Sequence, residues 1–118
     1  MSISPERLLR RYQMECIEET RVDPDIIVSI KHANRWSRLS FEWALCVLMK
    51  NKVMTKEGVY KIDVALSRVP WNERDFVEKE IDRCLSEKAI PARDIAIIYI
   101  KCFQRKKSNY SAFVSAFE

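Results

Sequence analysis

The sequence predicts an all-α protein of six to seven short helices, and three observations carry that expectation. Apolar residues recur at i, i+3, i+4 and i+7 in segment after segment, the period of one helix face. Helix-start signals, a capping side chain or a proline in the first turn, stand at nearly every boundary. Glycine occurs once in 118 residues, at Gly58, too seldom for a fold dense in tight β-turns.

Ser4-Pro5 places a capping hydroxyl before a proline whose missing N–H is harmless at the first helical position. A helix over 5–20 follows, with Leu8, Leu9, Tyr12 and Cys16 on one face and Arg10, Arg11, Glu15 and Glu18 elsewhere. Asp23-Pro24 repeats the device and opens a short helix carrying Ile26, Ile27, Ile30 and Ala33. Ser40 is placed to cap a third helix, Phe41 to about Lys52, with Phe41, Ala44, Leu45, Leu48 and Met49 on its inner face. Trp43, Cys46 and Val47 carry the apolar surface further round, so this helix should be deeply buried. Thr55-Lys56-Glu57-Gly58 reads as a turn, and a fourth helix with Ile62, Ala65, Leu66 and Val69 ends before Pro70.

Asn72 is the expected cap of a fifth helix, with Asp75 as a weak capping-box partner and Phe76, Val77, Ile81, Cys84 and Leu85 as its stripe. Pro91 opens a sixth helix through the run Ile95 to Ile100, which is β-branched enough to be a buried strand on propensity. Helix is preferred because the pattern continues to Cys102 and Phe103 and no partner strand is evident. Tyr110, Phe113, Val114 and Phe117 then suggest a short terminal helix that packs back on the body.

Hydrophobic residues make up 47% and charged residues 32%, the balance of a soluble globular protein. The length fits one domain, 1–118, with no internal repeat or linker. The longest apolar run, Ile95 to Ile100, falls far short of the roughly 18 residues of a membrane span, so no membrane insertion is expected. The net charge of +4 is interspersed, with its densest basic cluster at Arg105-Lys106-Lys107 and no nucleic-acid motif. His32 is the lone histidine, and a single glycine excludes Gly-rich phosphate loops and nucleophile elbows. Neither enzymatic activity nor a cofactor is expected.

Cys16, Cys46, Cys84 and Cys102 are separated by 29, 37 and 17 residues. The spacings match no zinc or CxxC pattern, so no metal site is expected. An even number of cysteines in a small chain reads as two structural disulfides and a secreted domain. The opening MSISPERLLRR lacks the apolar core of a signal peptide. A secreted protein would therefore be present as its mature chain, with Met1 added for expression. Composition leaves open whether three Trp, five Phe, four Tyr and four Met fill the interior or surround a cavity.

The segments FEWALCVLMKNKVMTKEGVYKIDVAL and IDRCLSEKAIPARDIAIIYIKCFQ, with the cysteine frame, resemble the insect odorant-binding protein superfamily. That family's six-cysteine pattern has its second and third cysteines separated by three residues and its fifth and sixth by eight. Cys16, Cys46, Cys84 and Cys102 look like the first, third, fourth and sixth; Glu42 and Arg93 stand where the second and fifth would be. Both partners of one bridge are thus lost together, as in a reduced-cysteine (C-minus) branch.

The resemblance implies helices around an apolar cavity, with bridges Cys16–Cys46 and Cys84–Cys102. It also implies reversible carriage of small hydrophobic ligands through an extracellular fluid. Losing the third bridge should leave the third and sixth helices freer to separate, with Glu42 and Arg93 a candidate ion pair across the gap. Helix phase then nominates Leu9, Tyr12, Ile27, Ile30, Ala44, Met49, Leu66, Phe76, Ile98 and Phe113 as cavity-facing. Tyr12 or Tyr99 could supply a hydroxyl to orient a polar ligand group. A receptor or homodimer contact is a further partner in this reading.

The basic balance is compatible with anionic ligands and also resembles the D7-like salivary branch, scavengers of host amines and eicosanoids. A different class of reading makes the chain a protein–protein interaction module whose sticky surface is the stripe Tyr110, Phe113, Val114 and Phe117. A third is an intracellular helical adapter with four reduced thiols. Asn109-Tyr110-Ser111 matches a glycosylation sequon.

Overall fold

A computed structural model describes residues 4–33, 40–85, 92–106 and 110–116. Its elements are α1 (Pro5–Thr20), α2 (Pro24–Ala33), α3 (Phe41–Lys50), α4 (Ile62–Ser67), a 3-10 turn (Trp71–Glu73), α5 (Arg74–Cys84), α6 (Ala92–Lys106) and α7 (Ser111–Val114). No strand is present among the described residues; an isolated antiparallel bridge joins Met54 to Tyr60. No helix is long and apolar enough to cross a membrane.

The first helix begins as its sequence dictates. Ser4 is extended, and its Oγ accepts a hydrogen bond from the Arg7 N–H at 3.3 Å, with Pro5 in the first turn. It ends at Arg21 in the left-handed region (φ 59°), whose N–H donates to Ile17 O. Before α2, the Asp23 carboxylate accepts from the Asp25 N–H at 2.9 Å, satisfying a donor that the helix start leaves unpaired. The run 95–100 is helical, within α6.

Some boundaries differ from the expectation. Ser40 is itself in a helical conformation and its side chain does not cap α3. That helix stops at Lys50, not Lys52, because Lys52 turns left-handed (φ 66°). Gly58, at φ 85°, closes the following turn by donating to Thr55 O. The fourth helix ends at Ser67. Asn72 lies inside the 3-10 turn after Pro70, so α5 starts later and Asn72 does not cap it. Pro91, Asn109 and Phe117 lie outside the described residues, as do the side chains of His32 and Arg93.

The central helix is α3, which packs against α1 on one side and α6 on the other. Trp43, Ala44, Val47 and Leu48 are fully buried there. Ala96, Ile97, Tyr99, Ile100 and Phe103 face them from α6, and Val77, Ile81 and Cys84 extend the core into α5. Disulfides Cys16–Cys46 and Cys84–Cys102 tie α1 to α3 and α5 to α6, with Cα separations of 5.9 and 5.5 Å.

Two apolar side chains assigned to inner faces turn outward. Phe76 is 62% and Met49 39% exposed. The buried stripe of α5 runs Val77, Ile81, Cys84, and Phe76 is one residue, about 100° of helix, off that line. Met49 is displaced in the same way from Leu48 on α3.

Candidate functional site

The interior of the helical shell is entered by the chain's own tail. Ala112, Val114, Ser115 and Ala116 are buried, and α7 packs against α1 and α4. The last four carbonyls of any helix lack intrahelical partners. A helix of four residues has no others, so a buried α7 needs donors from elsewhere.

The fold supplies them from separate elements. Asn51, just past α3, donates from Nδ2 to the carbonyls of Ala112 (3.3 Å) and Ser115 (2.8 Å). Arg68, just past α4, donates from Nη1 to Phe113 O (2.9 Å) and to Asn51 Oδ1 (3.1 Å). The hydroxyls of Tyr60 and Tyr99 lie 2.8 and 3.0 Å from Val114 O and 2.9 Å from each other. Gln13 Nε2 on α1 donates to Ala116 O at 2.6 Å, while Gln13 O accepts from the Trp43 indole at 3.1 Å. Every carbonyl from 112 to 116 is thus met by a side chain.

Burial, the largest influence, pushes the Tyr60 and Tyr99 phenols above the usual tyrosine range. Both remain neutral hydroxyls, able to donate, at physiological pH. Their rings meet at a centroid distance of 4.7 Å, tilted by 34°, and Phe103 stacks beyond Tyr99 at 5.6 Å.

Where the tail meets the shell there is a partly enclosed concavity of about 140 Å³. It is lined by Pro5, Leu8 and Tyr12 of α1, Asn51, Arg68, Ala112 and Phe113. Of the residues nominated from helix phase, Tyr12 and Phe113 meet here. Leu9, Ile27, Ile30 and Ala44 are buried in the continuous core, and Leu66 is half-buried against it. Ile98 is half-buried on α6, and Met49 and Phe76 face outward. With the tail seated, the Tyr99 hydroxyl is engaged by Val114 O and the Tyr60 hydroxyl. Glu42 is exposed.

Sequence reasoning did not single out Gln13, Asn51, Tyr60 or Arg68. Gln13 left a signal: it lies four residues after Leu9 and three before Cys16, inside the apolar face of α1. The tail stripe read as a docking surface is also corrected: Val114 is buried and Phe113 half-buried in the interior.

Cys16, Cys46 and Glu19 cluster within reach of one point. Both sulfurs are consumed in the disulfide and Glu19 pairs with Lys50 at 2.8 Å, so no thiolate is available to a metal. That contact with Glu19 is the main cause of the raised Lys50 pKa.

No curated protein and no solved structure matches the chain significantly. A family model does, over residues 6–106. The match spans the helices α1 to α6 and both disulfides. The chain therefore belongs to the PBP/GOBP family, the odorant-binding proteins, whose members are typically secreted carriers of small hydrophobic ligands.

Proposed function

We propose that this protein is a secreted, non-enzymatic carrier that binds a small hydrophobic ligand reversibly where the tail meets the helical shell. The observation that carries the reading is the concavity between α1, Arg68 and Phe113, which combines apolar walls with polar groups of fixed geometry. Ligand sites are commonly concave and largely apolar, with a few polar groups that fix orientation. At about 140 Å³ it accepts part of a ligand. A larger one is accommodated by movement of Phe113 and its neighbours, with Leu9, Ile27, Ile30, Ala44 and Leu66 behind them as the apolar interior. Ile98, half-buried on α6, completes the set; Met49 and Phe76, which face outward, are not part of it.

The chain is read as one domain over 1–118 and as a C-minus member, with Glu42 and Arg93 at the positions of the absent bridge. Odorants, pheromones and fatty acids are the ligand classes in view. Burial of apolar ligand surface contributes roughly 25 cal/mol per Å² before the entropic cost of binding, so micromolar affinity needs only a modest site.

The test is a titration with a fluorescent apolar probe such as N-phenyl-1-naphthylamine, followed by displacement with fatty acids, terpenoids, eicosanoids and biogenic amines. Saturable binding displaced by the apolar classes is expected. A folded protein with both disulfides intact that binds neither probe nor competitor refutes the carrier reading. Displacement by biogenic amines alone points instead to the D7-like alternative.

A further inference from the structure

Arg68 is a half-buried cation with no carboxylate partner among the described residues. Its Nη1 is spent on two neutral acceptors, Asn51 Oδ1 and Phe113 O. A guanidinium carries five N–H donors. The three on Nε and Nη2 therefore have no protein acceptor among the described residues. The Nε/Nη2 edge is one of the two forks whose parallel donors match the oxygens of a carboxylate. A charge withdrawn partly from water and left with neutral partners is costly, and an incoming anion offsets that cost.

The surroundings restrict the anion further. Arg68 shares the 140 Å³ concavity with Asn51 and with Pro5, Leu8, Tyr12, Ala112 and Phe113, so one wall holds the guanidinium and a neutral amide and the others are apolar or aromatic. At about 30 Å³ per water-sized position, the space takes roughly four or five such positions, enough for a carboxylate and its first carbons. The remaining hydrocarbon must run along Leu8, Tyr12 and Phe113. Tyr12 lines the same concavity, and a phenol there offers a donor for a second ligand oxygen.

We infer that Arg68 is an anion anchor, and that the ligand class this protein prefers is an amphiphile with a carboxylate head and an apolar chain. This rests on the carrier reading above and goes beyond it by assigning a charge to the cargo and a residue to that charge. Arg68 also holds the tail through Phe113 O, so the test must separate anchoring from support.

The experiment compares octanoate with octanol, equal in chain length and different in charge, as competitors of N-phenyl-1-naphthylamine on the full chain at pH 7. Octanoate is expected to bind roughly ten- to a hundredfold more tightly, the range for one charge-assisted interaction. In Arg68→Gln that preference collapses to parity, a change in the octanoate-to-octanol ratio that a loosened tail, weakening both ligands alike, would not produce; a ratio kept at the wild-type value overturns the anchor. Arg68→Lys, which keeps the charge and loses the fork, should retain part of the preference. Should Arg68→Gln fold poorly, the wild-type preference must still vanish as octanoate protonates below a pH of about 5. Equal affinity for the two competitors in the wild type overturns the anchor and leaves the carrier standing. Binding of neither overturns both.

Discussion

Val114 O is buried and reached by two phenols, and that redundancy makes a measurable prediction. Tyr60 and Tyr99 lie at 2.8 and 3.0 Å from the carbonyl and form a closed triangle with it. Removing either hydroxyl leaves the other as donor to Val114 O. Tyr60→Phe and Tyr99→Phe should therefore each cost about 0.5–1.5 kcal/mol, the net worth of one hydrogen bond. Removing both leaves a carbonyl of a fully buried residue without a side-chain donor among the described residues. Such an orphan costs a further ~1–3 kcal/mol. The double variant should then lose about 2–6 kcal/mol, more than its two parents combined, with a coupling of at least ~1 kcal/mol. Equilibrium urea unfolding of the four proteins, disulfides oxidised, provides the cycle. A double variant equal to the sum of the singles within about 0.5 kcal/mol would refute the shared-carbonyl arrangement.

The same pair makes stability fall in alkali. Burial raises both folded pKa values above the tyrosine value of 10.0, so above pH 10 the unfolded chain sheds phenolic protons that the folded chain keeps. The stabilisation is complete below that pH and is lost as pH rises through the folded values. Each phenol contributes a slope of about −1.4 kcal/mol per pH unit, visible as the difference between wild type and the double Phe variant in pH-dependent urea melts. Replacing Cys16 and Cys46 together by Ser opens a loop with a sequence separation of 30. The chain-entropy model assigns it about 3–4 kcal/mol, readable as a drop in urea midpoint; a change under 1 kcal/mol would show that the unfolded chain gains little freedom. Phe76→Ser, at a side chain 62% exposed, should change stability by less than about 0.5 kcal/mol and leave probe binding intact. Tyr12→Ala should weaken probe binding several-fold, and equal effects of the two variants would exclude the concavity as the site.

The elements were legible wherever a local signal sufficed. The Ser4 cap, Pro5 and the Leu8, Leu9, Tyr12, Cys16 face bound α1 at both ends of its range because each acts within one or two turns of the chain. At α5 a local rule misled: Asn72 suits a cap, but the chain leaving Pro70 tightens into a 3-10 turn and the helix starts after it. Phe76 and Met49 failed for a geometric reason. An apolar arc wider than the buried stripe leaves its edge residues undecided until the neighbouring helix is in place. The tail stripe announced a short terminal helix packed back on the body, and α7 is one; its seat was beyond reach, since that depends on donors from Gln13, Asn51, Tyr60, Arg68 and Tyr99, which lie on five different segments and share no periodicity. The cysteine frame succeeded because it encodes distances between helices directly, through bonds that the structure contains.

The polar ring around the tail also bears on what the protein can carry. Among the described residues no disulfide joins α3 to α6; the two are held together by packing and by the tail, which Asn51 and Tyr99 engage from either side. Each hydrogen bond to the tail is worth only about 1 kcal/mol net. A tail seated elsewhere, though, would bury carbonyls without donors at ~1–3 kcal/mol apiece, so the ring selects one placement more than it stabilises it. A ligand that displaces the tail inherits the same condition. It faces the amides of Gln13 and Asn51, two phenols and a guanidinium, and a bare hydrocarbon would leave the donors that served the tail's carbonyls without those acceptors. A molecule bringing acceptor oxygens to these donors replaces the tail's carbonyls and avoids that penalty. On the proposed carrier reading, the interior should therefore discriminate among apolar ligands by their polar end.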